Sequence, residues 1–232
     1  MQGKSILVIG ASSGIGKQAA QQLVDQGAQV ISASRSKPNI EGIDHYSFDA
    51  TEEKPDLSFI PEKLDGLVYC PGTINLKPFH RLSLEEFQTD MEVNVMGAIR
   101  ILQASFKSLK KSESASVVLF STVAAKLGMN FHSSIATSKA AIEGLGKSLA
   151  AEWSMHSIRV NMIAPSLTNT PLAENLLSTE DRKEASSKRH PIGRYGEAKD
   201  LSDMVVFLLS DSASWITGQT IGIDGGMGSL KP

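Results

Sequence analysis

Short apolar segments rich in valine and isoleucine recur along the chain, separated by longer segments with helical periodicity. The apolar segments cover residues 5–9, 29–33, 45–48, 66–70, 116–121, 159–164 and 220–224. Their apolar character is mostly continuous rather than alternating, which is typical of strands that are covered on both faces. We therefore expect about seven strands in a parallel sheet.

The segments between these strands predict amphipathic helices. Ile142, Leu145, Leu149 and Trp153 recur at intervals of three or four residues. Residues 83–86 read as a capping box that opens another helix, and a further helix is predicted over 198–209. Alternating strands and helices predict an α/β fold: a single Rossmann-type domain over residues 1–232, with a doubly wound parallel sheet and helices on both faces.

Two segments depart from this alternation. Residues 51–64 contain Pro55 and Pro61, so we expect a short irregular connection there instead of a full helix. Residues 170–190 are polar and charged and are bounded by prolines. They are interpreted either as a surface loop with a helical turn or as a lid over a site.

Composition and charge exclude several classes of function. The 232 residues include 23 basic and 25 acidic side chains, so charge gives no reason to expect a nucleic-acid partner. The single cysteine, Cys70, excludes an intramolecular disulfide, and the five scattered histidines do not suggest a metal site. The first apolar segment is too short for a signal peptide, and no segment reaches the ~18 apolar residues that span a bilayer. We expect a soluble, cytoplasmic protein.

A glycine-rich turn follows the first predicted strand and opens the first helix. Gly10, Gly14 and Gly16 permit a tight turn and let the backbone approach a pyrophosphate at the positive end of that helix. The spacing is neither GxGxxG nor a P-loop. A strand–helix turn also needs glycine for structural reasons alone, but the position of this one favours dinucleotide binding.

The GxxxGxG spacing resembles the short-chain dehydrogenase/reductase family, and the resemblance extends over essentially the whole chain. Gly72 matches the glycine of the segment after the fourth strand, Asn94 matches the helix asparagine, and Pro165 matches the proline after the sixth strand. The segments 191–196, 217–220 and 224–226 are similar to the C-terminal pattern of the family. The resemblance implies an NAD(P)-dependent oxidoreductase that assembles as a homodimer or homotetramer.

The end of the second strand distinguishes the two nicotinamide dinucleotides. An acidic residue there would bind the ribose hydroxyls of NAD, but this chain has Ser34 and Arg35, and a guanidinium matches a 2′-phosphate. We therefore expect NADP in preference to NAD, although a surface arginine without function remains the alternative. With the resemblance, the expected cofactor-binding residues are Gly10, Ser12, Ser13, Gly14, Ile15, Gly16, Ser34, Arg35, Asp49, Ala50, Gly72, Asn94, Lys139, Pro165 and Thr170.

The resemblance implies a catalytic Ser, Tyr and Lys, with the helix asparagine holding water. Lys139 is in place, the serine position falls on Thr122, and Asn94 is present, but the tyrosine position is Ile135. Threonine can donate a hydrogen bond to a carbonyl oxygen, whereas isoleucine cannot. A general acid contributes about 10²–10⁴ in rate, so its loss is a large change.

Several residues could supply the missing proton. His132 lies just ahead of the helix, three residues before Ile135, and histidine is the usual proton shuttle near neutral pH; the alternative is a loop histidine that faces solvent. Tyr69, Ser138 and Lys139 are further candidates, each of which also has a purely structural or ribose-binding interpretation.

Three functions are compatible with this pattern. The first is an NADP-dependent oxidoreductase that acts on a small carbonyl or alcohol through an atypical active site. The second is a catalytically silent dinucleotide sensor or partner subunit. The third is a different reaction, such as elimination or isomerisation, in which the cofactor is idle or recycled.

Overall fold

Strands and helices alternate along residues 1–231, which are the residues described by the computed structural model. The strands are β1 (Ser5–Ile9), β2 (Gln29–Ser34), β3 (Asp44–Ser47), β4 (Gly66–Tyr69), β5 (Ala115–Phe120), β6 (Ile158–Pro165), β7 (Thr168–Asn169), β8 (Gly196–Glu197) and β9 (Thr220–Ile223). The α-helices are α1 (Gly14–Asp25), α2 (Leu84–Met91), α3 (Gly97–Leu109), α4 (Ser133–Trp153), α5 (Glu180–Arg189) and α6 (Ala198–Leu209).

Seven strands form one parallel sheet in the order β3-β2-β1-β4-β5-β6-β9. They confirm the seven predicted strands, and every strand end lies within one residue of its prediction. The chain moves outward from β1 through β2 to β3 and then returns to the other side of β1 at β4. In open α/β sheets such a reversal leaves a crevice at the carboxyl ends of the strands. The two-residue strands β7 and β8 pair with each other in a separate small sheet, which the sequence pattern did not predict.

The sheet is buried on both faces because successive strand residues point to opposite sides. Leu7 and Ile9 on β1 pack into the cluster that contains residues of α3 and α4, whereas Ile6 and Val8 pack into the cluster with α1 and α6. This arrangement of helices on both faces confirms the predicted doubly wound fold. Among residues 1–231, no helix is both long and apolar enough to cross a membrane.

The helical segment from Leu84 to Leu109 contains an irregularity that the sequence pattern did not predict. The predicted capping box is present at its start, where Ser83 and Glu86 bond each other's backbone N–H. Between α2 and α3 the chain makes a π-helical turn over Glu92–Met96. Such turns insert one residue into the helix and are frequent at functional sites. This one contains Asn94.

The two segments that depart from the alternation of strands and helices differ in structure. No helix or strand is assigned over residues 51–64, as the prolines predicted. The segment 170–190 is largely helical, with a 3₁₀ helix over Pro171–Leu177 followed by α5.

Two glycines on helices make a matched test of packing. A β-carbon on Gly16 would overlap the carbonyl oxygen of Gly10, whereas one on Gly144 would meet nothing within 4 Å. Gly16→Ala is therefore expected to lower the free energy of unfolding by about 2–3 kcal/mol. Gly144→Ala is expected to raise it by roughly 0.5–1 kcal/mol, because alanine reduces the entropy lost on folding. Urea denaturation of both variants checks the pair, and equal effects would contradict the packing described here.

Candidate active site

A cleft of about 1200 Å³ opens at the carboxyl ends of the central strands, where the strand order reverses. Every predicted cofactor-binding and catalytic residue except Asn94 lines it, whereas the candidate proton donors Tyr69 and Ser138 do not. Glycine-loop residues form one end, and residues of α4 and of the segment 170–190 form the other walls. The size and position suit an extended ligand such as a dinucleotide.

The turn after β1 brings the N-terminus of α1 into the cleft. Gly10 and Gly14 have positive φ values of 84° and 54°. A β-carbon on Gly10 would lie 3.2 Å from Pro71, so the turn and the loop after β4 are in close contact. Ser13 precedes the helix in an extended conformation, and within the described residues neither a side-chain cap nor an acidic first-turn residue occupies this helix N-terminus. The N–H groups of α1 therefore remain available to an anion, and a pyrophosphate fits there.

The end of β2 supplies a different set of groups. Ser34 is buried and donates to the Ser36 carbonyl at 2.9 Å, and Arg35 follows it on the cleft wall. Asp49 follows the neighbouring strand β3 and accepts hydrogen bonds from the backbone N–H and hydroxyl of Thr51. These bonds, with the charge of Arg35, lower the pKa of Asp49. The adjoining Ala50 also lines the cleft.

Lys139 is buried in the middle of the cleft wall on α4. Desolvation lowers the pKa of its ammonium group to about 8, although nearby Cys70 and Asp90 oppose the shift. Burial also raises the pKa of the Cys70 thiol to about 12. A β-carbon on Gly72 would lie 3.6 Å from Nζ of Lys139, so this glycine lies directly beside the ammonium at the centre of the site.

Asn94 lies behind the cleft wall instead of lining it. Its Nδ2 donates to Oγ1 of Thr73 at 3.0 Å and to the Asp90 carbonyl at 2.8 Å. Its Oδ1 is buried and has no partner among the described residues. A β-carbon on Gly72 would lie 3.5 Å from this oxygen. Because buried polar atoms are nearly always hydrogen-bonded, this unpaired acceptor suits an ordered water beside Lys139.

Thr122 and Ile135 line the cleft from β5 and α4 respectively. The Thr122 hydroxyl accepts from the Ala124 N–H and makes only a long, 3.5 Å contact to the Pro165 carbonyl, so its proton remains available to a ligand. Ile135 is 7% exposed and lies one helical turn before Lys139. An apolar side chain therefore occupies the position on α4 one turn before Lys139.

Two of the proposed proton donors have different surroundings. His132 is the residue before α4, lines the cleft, and its Nδ1 lies 2.7 Å from the Asn130 carbonyl, which leaves Nε2 free. Tyr69 instead donates its hydroxyl to the Val93 carbonyl at 2.6 Å and packs in the hydrophobic core. Burial raises the pKa of Tyr69, so the structure supports the packed interpretation of this tyrosine.

A buried polar network near Lys139 was missed by sequence reasoning. The Asp90 carboxylate accepts hydrogen bonds from Thr73, Asn75 and Ser134 at 2.5–2.9 Å and is fully buried. It joins the loop after β4, the end of α2 and the start of α4. An acidic residue within a predicted amphipathic helix gave no signal of this role, because the partners come from distant segments. The network orients the helix that carries Lys139 on the cleft wall, and it adjoins Asn94 behind that wall.

The segment after β6 closes the cleft against α1. Pro165 ends β6, and Thr170 approaches so closely that a β-carbon on Gly14 would lie 3.4 Å from its side chain. His190, buried at the end of α5, contacts the Ser186 carbonyl at 2.7 Å and the Ser166 hydroxyl at 2.9 Å. These bonds attach α5 to the loop that follows β6. Among residues 1–231, no cluster of three potential metal ligands is present.

Comparison with known proteins gives concordant results. A family model described as enoyl-(acyl carrier protein) reductase matches residues 10–228. The chain is 35% identical to the tropinone reductase homolog At2g29290 of Arabidopsis thaliana, over 98% of this chain and 94% of that protein. It is 31% identical to the 3-oxoacyl-[acyl-carrier-protein] reductase FabG of Thermotoga maritima, over 98% of each chain.

Solved structures agree with these relatives. A gluconate 5-dehydrogenase from Burkholderia cenocepacia, in complex with NADP and tartrate, superposes with a TM-score of 0.92 at 25% identity, over 100% of this chain and 97% of that one. The ligand-free aldohexose dehydrogenase of Thermoplasma acidophilum has a TM-score of 0.90 at 28% identity, over 100% of this chain and 96% of that one.

The buried ammonium of Lys139 predicts a pH-dependent stability. Its pKa falls from 10.5 to about 8 on folding, so the unfolded chain binds more protons between these values and stability contributed by this group rises with pH there. Lys139→Met removes the buried charge. Its free energy of unfolding is expected to exceed that of the wild type by up to about 3 kcal/mol below pH 8, and the excess should shrink towards pH 10.5.

Urea denaturation across that pH range, without added nicotinamide, checks this expectation. Lys147→Met is the control, because Lys147 is exposed on the same helix. An excess for Lys139→Met that stays constant through the whole range would contradict a depressed pKa.

Proposed function

The chain belongs to the short-chain dehydrogenase/reductase family, and from that premise we propose that it is an NADP-dependent oxidoreductase acting on a small carbonyl or alcohol. The observation that carries this proposal is the convergence of an uncapped helix N-terminus, Thr122 and Lys139 in one cleft. When bound, the nicotinamide supplies or accepts the hydride. Relatives named as reductases and dehydrogenases support the redox class.

The preference for NADP rests on Ser34 and Arg35. Ser34 carries no charge to repel a 2′-phosphate, and the guanidinium of Arg35 lines the cleft at the end of β2. Asp49 lies farther along, and its carboxylate is already bonded to Thr51. The similar gluconate 5-dehydrogenase from Burkholderia cenocepacia, whose structure contains NADP, is consistent with this choice.

We assign separate roles to the residues around the reacting carbonyl. Thr122 donates a hydrogen bond to the carbonyl oxygen and stabilises the negative charge that develops there. Lys139 would hold the ribose next to the nicotinamide from its position on the cleft wall beside Gly72. Asn94 anchors a water through its unpaired Oδ1. The segment 170–190 covers the substrate as a lid.

The active site is atypical because Ile135 stands at the tyrosine position. We propose His132 as the substitute proton donor. Its Nε2 is free, and it lies on the cleft wall three residues before Ile135, on the same face of the helix start. Thr122 binds the oxygen, and His132 delivers the proton, directly or through one water.

The central experiment compares the wild type with Ile135→Tyr. NADPH oxidation is followed with a panel of small aldehydes and ketones, and Thr137→Tyr, on an exposed position of the same helix, is the control. We expect measurable turnover by the wild type and about 10²–10⁴ faster turnover by Ile135→Tyr, since a tyrosine there restores a positioned acid. His132→Gln should then lower only the wild-type rate strongly.

Other outcomes distinguish the alternatives. Turnover by Ile135→Tyr alone would identify a silent dinucleotide sensor or partner subunit whose site is otherwise complete. Product formed without a net change in nicotinamide absorbance would identify an elimination or isomerisation. Bound NADPH with no turnover by either chain would contradict the proposed reaction.

Cofactor choice has its own test. Arg35→Ala removes the charge proposed to bind the 2′-phosphate, so the Kd for NADPH should rise by about tenfold or more while that for NADH stays unchanged. Lys37→Ala is the control, because it removes a charge from the same loop outside the cleft lining. Equal changes for NADPH and NADH would contradict the role of Arg35. Titration of protein fluorescence measures both constants.

A further inference from the structure

The helix α5 presents two arginines to the cleft. Arg182, Ala185, Ser186 and Arg189 all line it, and their spacing of three or four residues places them on one helix face. The sequence of this polar helix did not indicate which side faces inward. Its position is defined by His190, which links the end of α5 to Ser166 in the loop after β6.

The opposite face of α5 is electrostatically balanced. Lys183 pairs with Glu180, and Lys188 pairs with Glu184, both along the helix surface. Arg182 instead bonds neutral groups, the Asn175 carbonyl at 2.6 Å and the Ser178 hydroxyl at 2.9 Å. Arg189 bonds the Ser186 hydroxyl at 3.2 Å. A guanidinium has five N–H donors, so both arginines keep donors for a ligand.

The cleft lining contains few acidic side chains that would neutralise the charge of these arginines. Among the residues of the described chain that line it, Asp49 is the one carboxylate, and it lies beside Arg35 at the end of β2 and β3. The cleft is also lined by the apolar side chains of Ile74, Leu76, Met129, Leu172, Leu176 and Met227, of which Leu172 and Leu176 lie on the 3₁₀ helix that contacts α5. This part of the cleft therefore combines positive charge with an apolar surface.

We propose that Arg182 and Arg189 form an anion subsite and that the substrate is a carbonyl compound carrying a carboxylate or phosphate on an apolar body. Guanidinium groups match the planar and charged geometry of either anion. The apolar part of the substrate packs against the leucine and methionine side chains, and its carbonyl reaches Thr122. This inference rests on the proposed oxidoreductase function where the test measures turnover, whereas binding of the anion can be measured without turnover.

The kinetic test uses matched anionic and neutral probes with NADPH. Levulinate is compared with methyl levulinate, and dihydroxyacetone phosphate with dihydroxyacetone. We expect kcat/KM to favour the anionic member of at least one pair by about tenfold or more, and the pair with the larger ratio identifies the anion as carboxylate or phosphate.

The variants assign this preference to α5. Arg189→Gln should reduce the ratio about tenfold, mostly through KM, and Arg189→Lys should restore part of it. Lys188→Gln removes a charge from the outer face of the same helix and should leave the ratio unchanged. Equal kcat/KM for anionic and neutral probes, or a preference that survives Arg189→Gln, would overturn the subsite without affecting the oxidoreductase proposal.

A binding measurement separates the subsite from catalysis. Calorimetric titration of the NADP-saturated chain with hexanoate, hexanamide and phenyl phosphate requires no turnover. Binding of hexanoate or phenyl phosphate that weakens in Arg189→Gln, with hexanamide unaffected, would support the subsite even if no carbonyl were reduced. Equal binding of hexanoate and hexanamide, with no phenyl phosphate binding, would overturn it.

Discussion

The helix α1 begins so close to the end of β1 that a β-carbon on Gly16 would overlap the carbonyl oxygen of Gly10. This contact directs the helix N-terminus, with its free N–H groups, into the crevice where the strand order reverses. The loop after β4 and the segment after β6 both pack against the same turn through Pro71 and Thr170. The close contact between the start of α1 and the end of β1, which only glycine allows at position 16, therefore positions the walls of the cleft.

The electrostatics of the cleft depend on two buried ionisable residues, Lys139 and Asp90. Lys139 is desolvated, which lowers its pKa to about 8, and the fully buried Asp90 provides an opposite charge behind the wall. The carboxylate is itself satisfied by Thr73, Asn75 and Ser134. A charged group inside the protein is tolerable because such a network compensates it. The same network holds the start of α4, which also carries Ile135.

Much of the fold could be predicted from the sequence. Continuous apolar segments indicated the buried strands, and apolar residues at helical spacing indicated the buried faces of helices. Lys139 and Thr122 were predicted from the resemblance to the family, and the structure shows that both residues line one cleft. Asp90 could not be placed, since its partners come from separate segments and the π-helical turn beside it shifts the helical register. The face of α5 that lines the cleft could not be predicted for a different reason. Both faces of this helix are polar, so periodicity could not distinguish Arg189 from Lys188.

Transfer of isotope from the cofactor tests most directly that this cleft performs hydride chemistry. The unmodified chain is incubated with NADPH deuterated at C4 on each face in turn and with a mixture of small carbonyl compounds, and the products are analysed by mass spectrometry. The account predicts one deuterium on the carbinol carbon of an alcohol product, from one face of the nicotinamide only. Bound NADPH with no labelled alcohol from either face would contradict it.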